Sequence, residues 1–341
     1  MSTVLTALQY LGYILIFPGF LFCFLAGMLL CGIDRKVVAK MQKRVGPPIL
    51  QPFYDFFKLL GKETIVPAAA SKVVFLAAPL VGFAALVVIQ LFIPVFTFTV
   101  FSGVADVIVI LYLLLIPAMA AILGGAASGS PYAGVGLSRE MVTIISCELP
   151  LVLILLAVGK TVGSFLGTGI TFSLTDIAAY QAANGSLITK ASMIPAAIAM
   201  LLVIPGETGN HPFDAAEAET EICEGMLAEY SGAPLGVYKL NHAIKMLTVT
   251  SLFVAQFLGG IGGGIEKLVA LIGLTGGAAA GMTMLLGIVI LLLLCIALTA
   301  VSISFVHAIT ARLKIEQIFK YYWTVVSGLA LISLVLAWYG M

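Results

Sequence analysis

The sequence predicts an all-α, polytopic membrane protein with about eight transmembrane helices and amphipathic cytoplasmic segments. Of 341 residues, 61% are hydrophobic and only 10% are charged, where an average soluble domain carries about a quarter charged residues. Mean hydropathy is +1.16, and the apolar residues run along the whole length. No stretch is left over for a soluble domain, so residues 1–341 read as a single integral membrane domain. The basic residues, finally, are confined to alternate loops, as in multi-pass proteins.

A spanning helix needs about 20 mostly apolar residues, and eight segments meet that requirement: 5–33, 73–97, 104–127, 140–159, 187–205, 239–264, 280–309 and 321–340. No Lys or Arg precedes Arg35, so the first segment lacks the basic leader of a signal peptide and reads as a span. Pro195 and Pro205 crowd the fifth. The odd-numbered connections hold or abut thirteen basic residues, from Arg35 and Lys36 in the first to Arg312, Lys314 and Lys320 in the seventh. The even-numbered ones hold three, Lys160, Lys190 and Lys267. The positive-inside rule then places the charged connections in the cytoplasm, with both termini outside.

Two connections are too patterned to be simple links. Residues 34–72 alternate Val37, Met41, Phe53, Phe56, Phe57 and Leu60 with basic positions. That is the pattern of one or two amphipathic segments on the membrane surface, broken at Gly46-Pro47-Pro48. Residues 206–238 carry Glu207, Asp214, Glu217, Glu219, Glu221, Glu224 and Glu229, seven of the sixteen acids.

Pro212 suits a first helical turn, and a helix from there would place Glu217, Glu221 and Glu224 on one face. Desolvation and mutual repulsion would raise their pKa values, so the cluster could hold and pass protons near neutral pH. The alternative is a solvated acidic loop, against which stand the interleaved Phe213, Ala215, Ala216, Ile222, Met226 and Leu227. Glu148, within the fourth span, is costly there and marks a proton or ion path or a protonated, hydrogen-bonded acid. Arg139 and Glu140, at the head of that helix, either act or simply reach the boundary. Lys245 either pairs with an acid of the preceding loop or snorkels. His211 and His242 are isolated in sequence, and Asp106, Asp176 and His307 fall near span ends or in an outer loop.

Some classes are excluded. Net charge is +1, too little for a nucleic-acid partner. The five cysteines, Cys23, Cys31, Cys147, Cys223 and Cys295, form no Cys-x-x-Cys pair and read as small apolar residues rather than metal ligands.

Four stretches, in order, resemble the H subunit of NADH-quinone oxidoreductase, a membrane component of respiratory complex I. They are Asp34-Arg35-Lys36-Val37 with Arg44-Val45-Gly46-Pro47; Leu137-Ser138-Arg139 with Glu148; Pro212-Phe213-Asp214 through Glu217-Ala218-Glu219 to Glu229-Tyr230-Ser231; and Arg312 through Lys314 and Glu316-Gln317. The uninterrupted Gly46-Pro47-Pro48-Ile49-Leu50-Gln51-Pro52 and Ser231-Gly232-Ala233-Pro234 are closer to the anchor subunit of energy-converting membrane-bound nickel–iron hydrogenases and their sulfur-reducing relatives.

The resemblance implies a noncatalytic subunit of a translocating oxidoreductase or hydrogenase complex, which docks the hydrophilic electron-transfer arm and links redox chemistry to proton or sodium translocation. Glu140, Glu148, Asp214, Glu217, Glu219, Glu221, Glu224 and Glu229 would be the proton-linked acids. Arg35, Lys36, Arg44, Arg139, Arg312, Lys314 and Glu316 would form the junction with the arm. The implied partners are hydrogenase-like large and small subunits, a ferredoxin-like iron–sulfur protein, antiporter-like membrane subunits and membrane lipid. The nickel–iron centre and iron–sulfur clusters would belong to those partner chains, and this chain would bind no metal or other cofactor. Rival expectations are the same subunit in a quinone- or sulfur-reducing complex, a stand-alone secondary ion antiporter, and a purely structural anchor.

Overall fold

The computed structural model describes residues 2–96, 98–101, 106–167, 169–271 and 277–340, and every regular element among them is helical. This is what hydrocarbon demands, because a helix satisfies its backbone polar groups within one segment. Six helices are long and apolar enough to cross a membrane, and a seventh counts if a bent pair is one span. A shorter apolar helix, Ala191–Glu207, accounts for the remaining predicted segment. The expected count of about eight is therefore met only if both are included.

Several expected boundaries shift, each for a local reason. The first span is α1 (Ser2–Leu15) and α2 (Phe20–Met41), interrupted around Pro18. Lys36, Lys40 and Met41 are thus the last turns of α2 rather than a separate amphipathic segment, and α3 (Gln51–Leu60) alone is amphipathic. It seats Phe53 and Phe56 against Phe24, with ring centroids 5.6 and 5.3 Å apart, and leaves Tyr54 and Phe57 exposed. The second and third spans are α4 (Lys72–Phe92) and α5 (Val107–Ser128); Thr97 and residues 104 and 105, which the sequence assigns to them, lie outside the described residues.

The fourth, α6 (Pro131–Leu166), is 36 residues long and starts at a proline, whose missing N–H costs nothing in a first turn. Arg139 and Glu140 accordingly lie more than two turns inside the helix, not at its head. An unpredicted outer helix, α7 (Leu174–Asn184), precedes α8 (Ile194–Glu207), the short fifth segment.

After the acidic connection come α10 (Gly232–Phe253) and α11 (Ile261–Leu271), bent by 78° to one another, so the sixth span ends before residue 264. The chain finishes with α12 (Gly277–Thr299), α13 (Phe305–Ile309), α14 (Ile315–Tyr321) and α15 (Ser327–Trp338). The last span therefore begins at Ile315.

Helix α10 is the hub. It is buried on nearly all sides and packs on α2, α3, α4, α8 and α12. By contrast α12 exposes Leu285, Val289 and Leu293, a surface suited to lipid or another membrane chain. Three spans contain a single π-helical turn, at Val254–Leu258, Ala300–Ser304 and Tyr322–Val326. Such turns slip the hydrogen-bond ladder. At the first, Gln181 Nε2 donates to the carbonyls of Ala255 and Gln256, at 2.9 Å each.

The acidic connection is not the helix that the sequence suggests. Only Glu219–Ile222 (α9) makes an α-helical turn, followed by a single 3-10 turn at Gly225–Leu227, and Cys223 and Glu224 between them both adopt left-handed backbone, with φ 51° and 66°. A continuous helix would stack like charges three and four residues apart. Instead the segment folds inward on Phe213, Ala215, Ala216, Ala218, Ile222 and Met226, all buried. Gly225, at φ 49°, turns where a side chain would strike the Ala216 carbonyl. Three of the cysteines, Cys23, Cys147 and Cys295, are core residues; Cys31 is half-buried and Cys223 is exposed, contrary to the apolar reading.

Candidate functional site

Alternating helix directions bring the end of α2, the starts of α6, α10 and α14, the ends of α8 and α13, and the acidic connection to one end of the bundle. A cavity of about 290 Å³ opens there. Its floor is one face of α10, where Tyr238, Asn241, His242 and Lys245 recur at helical spacing. Its walls carry six carboxylates, Glu140, Glu207, Asp214, Glu217, Glu219 and Glu224, against the cations Arg35, Lys239 and Lys245.

Ion pairs from neighbouring elements hold the acidic connection in place. Arg312, just before α14, donates from Nε to Asp214 Oδ1 at 2.9 Å and from Nη2 to Oδ2 at 2.6 Å, while its Nη1 reaches Thr220 Oγ1 at 3.0 Å. Arg139 on α6 donates to Glu221 Oε2 at 2.5 Å and to the Ala215 carbonyl at 3.2 Å. Deeper, Lys245 Nζ sits 3.1 Å from Glu207 Oε1, with both side chains almost enclosed. The pairing alternative for Lys245 is the one the structure adopts. Thr208 Oγ1 donates to the Ile204 carbonyl and closes α8, Asn210 Nδ2 donates to Thr208 Oγ1 at 2.7 Å, and His242 Nε2 lies 3.1 Å from Asn210 Oδ1.

These contacts push two nearby carboxyls in opposite directions. Burial raises Asp214, but the Arg312 guanidinium and His211 more than offset it and hold Asp214 below the usual carboxylate range. Glu217 is exposed at the mouth of the cavity, where the surrounding protein and acids crowd its carboxyl. Desolvation, then the charges of Glu140, Asp214 and Glu224, raise its pKa to about 7, with Lys245 opposing. Asp214 is therefore a fixed anion, and Glu217 gains or loses a proton near neutrality. Separated pKa values of this kind divide acid and base roles between neighbours.

The proton-linked acids named from sequence fall into three groups. Glu140, Asp214, Glu217, Glu219 and Glu224 line the cavity together. Glu148 lies eight residues beyond Glu140 on α6, about 12 Å deeper. Its Oε1 is buried without a hydrogen-bond partner, and Glu207 is within electrostatic reach of both Glu140 and Glu148. Glu221 is tied to Arg139, and Glu229 is exposed outside the cavity.

Among the junction residues, Arg35 lines the cavity and pairs with Asp55 at 3.3 Å. Lys36 is half-buried, Arg44 bonds Gln42, and Lys314 and Glu316 are exposed at the start of α14. Arg139 and Arg312 are bound to acids of this chain. Sequence reasoning passed over Glu207, Lys239 and His242 as site residues; only the spacing of the last two with Lys245 on one face of α10 could have flagged them.

A helical bundle with an apolar rim and a cavity lined by ionisable groups at one end defines a polytopic membrane subunit. The chain belongs to the NADH dehydrogenase family, which it matches over residues 14–338. It is 40% identical over 253 residues to the NADH-quinone oxidoreductase H subunit of Thermomicrobium roseum, covering 67% of this chain and 72% of that one. It is also 37% identical over 231 residues to Hydrogenase-4 component C of Escherichia coli (strain K12), covering 67% and 70%. A chain in the structure of the membrane-bound sulfane sulfur reductase, an archaeal respiratory membrane complex, superposes with a TM-score of 0.80 at 30% identity, covering 93% of this chain and 96% of that chain.

Proposed function

We propose that this chain is the membrane anchor and coupling subunit of a complex I-like redox-driven ion pump of the ferredoxin-linked hydrogenase type. The observation that carries the proposal is the acid-lined cavity at the convergent end, with a carboxyl near neutral pKa at its mouth and Glu140, Glu207 and Glu148 leading into the helices. Protons taken up beside a docked redox arm would have a route of ionisable groups into the membrane domain, where antiporter-like neighbours would complete translocation of protons or sodium. The arm, with its hydrogenase-like subunits, its nickel–iron centre and its iron–sulfur protein, would sit on the face that exposes Lys43, Arg44, Val45, Lys314 and Glu316. The hydrogenase and sulfane sulfur reductase relatives support this assignment, as does the compact run from Gly46 to Pro52.

Two measurements test it. Gentle detergent extraction of the tagged chain, with mass spectrometry and metal analysis, should recover nickel, iron and antiporter-like subunits. Iron without nickel would support the quinone- or sulfur-reducing form, and a chain that purifies alone and transports ions in liposomes would defeat the proposal. The thirteen basic residues of the odd-numbered connections support a cytoplasmic position for this face. Cys223, exposed there, should then react with an impermeant maleimide in inside-out vesicles and stay unlabelled in right-side-out ones. The reverse pattern would invert the topology.

A further inference from the structure

Two of the three histidines, far apart in sequence, meet in the fold. His211, in the acidic connection, and His307, on α13, have ring centroids 4.9 Å apart with planes at 57°. His211 lies beside one acid, and His307 is within electrostatic reach of a second, Asp34. His211 Nδ1 is 3.4 Å from Asp214 Oδ1. One helical turn before His307, Ser304 donates its hydroxyl to Asp34 Oδ1 at 2.6 Å. Asp34 is only 7% exposed, and among the described residues no cation pairs with it; its neighbour Arg35 is turned toward Asp55.

We propose that His211 and His307 form a proton-transfer bridge from the cavity, past Asp214, to Asp34 on α2, a branch that leaves the line of Glu217, Glu140 and Glu207 sideways. The proposal rests on the reading of the cavity as proton-linked. Histidine is the side chain whose ordinary pKa permits exchange in both directions near neutral pH. A proton arriving through the cavity is taken up by the His211 ring beside the Asp214 carboxylate, giving the imidazolium. A ring N–H of that imidazolium gives its proton to the unprotonated nitrogen of His307, and the opposite N–H of His307 delivers one to the Asp34 carboxylate. Both rings end neutral, Asp34 ends protonated, and no electrons move. The rings make no direct hydrogen bond, and at 4.9 Å between centroids a bridging water or a small ring rotation would complete the link.

The charged groups around the bridge are Asp214 and Arg312 on one side, Asp34 and Arg35 on α2, and Arg44 in the turn after it. A buried carboxylate held by one hydroxyl is costly as an anion. Protonation of Asp34 would therefore change its hold on Ser304, at the π-helical turn Ala300–Ser304, and so the seating of α2 against α13.

The test is made in the intact complex, reconstituted in liposomes, with ion translocation followed per electron pair. His211→Ala and His307→Ala should each lower coupled translocation about tenfold, the equivalent of about 1.4 kcal/mol in the transfer step. Free imidazole should restore several-fold of it, most strongly near pH 7. Asp34→Asn should lose translocation that imidazole cannot restore. His→Asn variants at the same two positions serve if an alanine variant fails to assemble. Loss without imidazole rescue would make the histidines structural and overturn the bridge. Wild-type translocation in both histidine variants, with Glu217→Gln defective, would overturn the bridge and leave the cavity reading standing. Wild-type behaviour in all of them would overturn both.

Discussion

Glu217→Gln should abolish coupled translocation while the complex still assembles. The substitution keeps the shape of the side chain and removes both its charge and its exchangeable carboxyl proton. In the wild-type protein the carboxyl, with a pKa of about 7, is partly protonated at physiological pH and so is able both to accept and to release a proton. Asp214, three residues earlier, is held ionised by Arg312 and cannot substitute for it.

The expected fall in ions moved per electron pair is about tenfold or more, the equivalent of at least about 1.4 kcal/mol in the transfer step. The sign of the pH dependence follows from the raised pKa. Protonated Glu217 is the form favoured by the fold, so its contribution is fully present below the ordinary glutamate value and is lost as pH rises through about 7. Translocation by the wild type should therefore change across that window, and the Gln variant should lose the limb centred there. Glu229→Gln, exposed and outside the cavity, is the matched control. Equal coupling in the Glu217 and Glu229 variants would rule out Glu217 as a proton carrier.

Much of this architecture is legible in the residues because bilayer physics is coarse. A run of twenty apolar residues has few other fates, so α4, α5 and the span Ala279–Ile309 are found near their true limits. The helix ends are less legible, since charge alone does not stop a helix: α6 runs through Ser138, Arg139 and Glu140 and begins only at Pro131.

The site divides in the same way. Glu148 is visible as a charge in an apolar run, and the acidic connection as a cluster. What local reasoning misplaces is the conformation of that cluster, because the partners that hold it, Arg139 and Arg312, come from helices distant in sequence. The histidine pair escapes for the same reason: each histidine looks isolated until the convergence of α13 with the acidic connection places the rings together. His242 and Lys239 are hidden differently, since α10 begins seven residues before Lys239 and continues the same face down to Lys245.

Lys245→Met should be the most destabilising single change at the site. Lys245 and Glu207 are 13% and 11% exposed, and Glu140 lies within electrostatic reach of both. Removing the cation leaves two acids facing each other in an enclosed space, and breaking a buried pair from one side typically costs about 3–5 kcal/mol. The cost reflects the orphaned anion more than the worth of the pair, and that distinction can be measured. In Lys245→Met with Glu207→Gln the orphan charge is gone, so most of the lost stability should return, and the double-mutant cycle should give a large coupling energy. The readout is the thermal unfolding midpoint of the detergent-solubilised complex, taken alongside subunit recovery.

Activity should behave differently. If Glu207 links Glu140 to Glu148, the double variant should regain assembly without regaining translocation. A double variant no more stable than Lys245→Met would mean that the lysine acts through the packing of its alkyl stem on α10. A double variant that is both stable and fully coupled would remove Glu207 from the proton route and leave Glu140 as the link to Glu148.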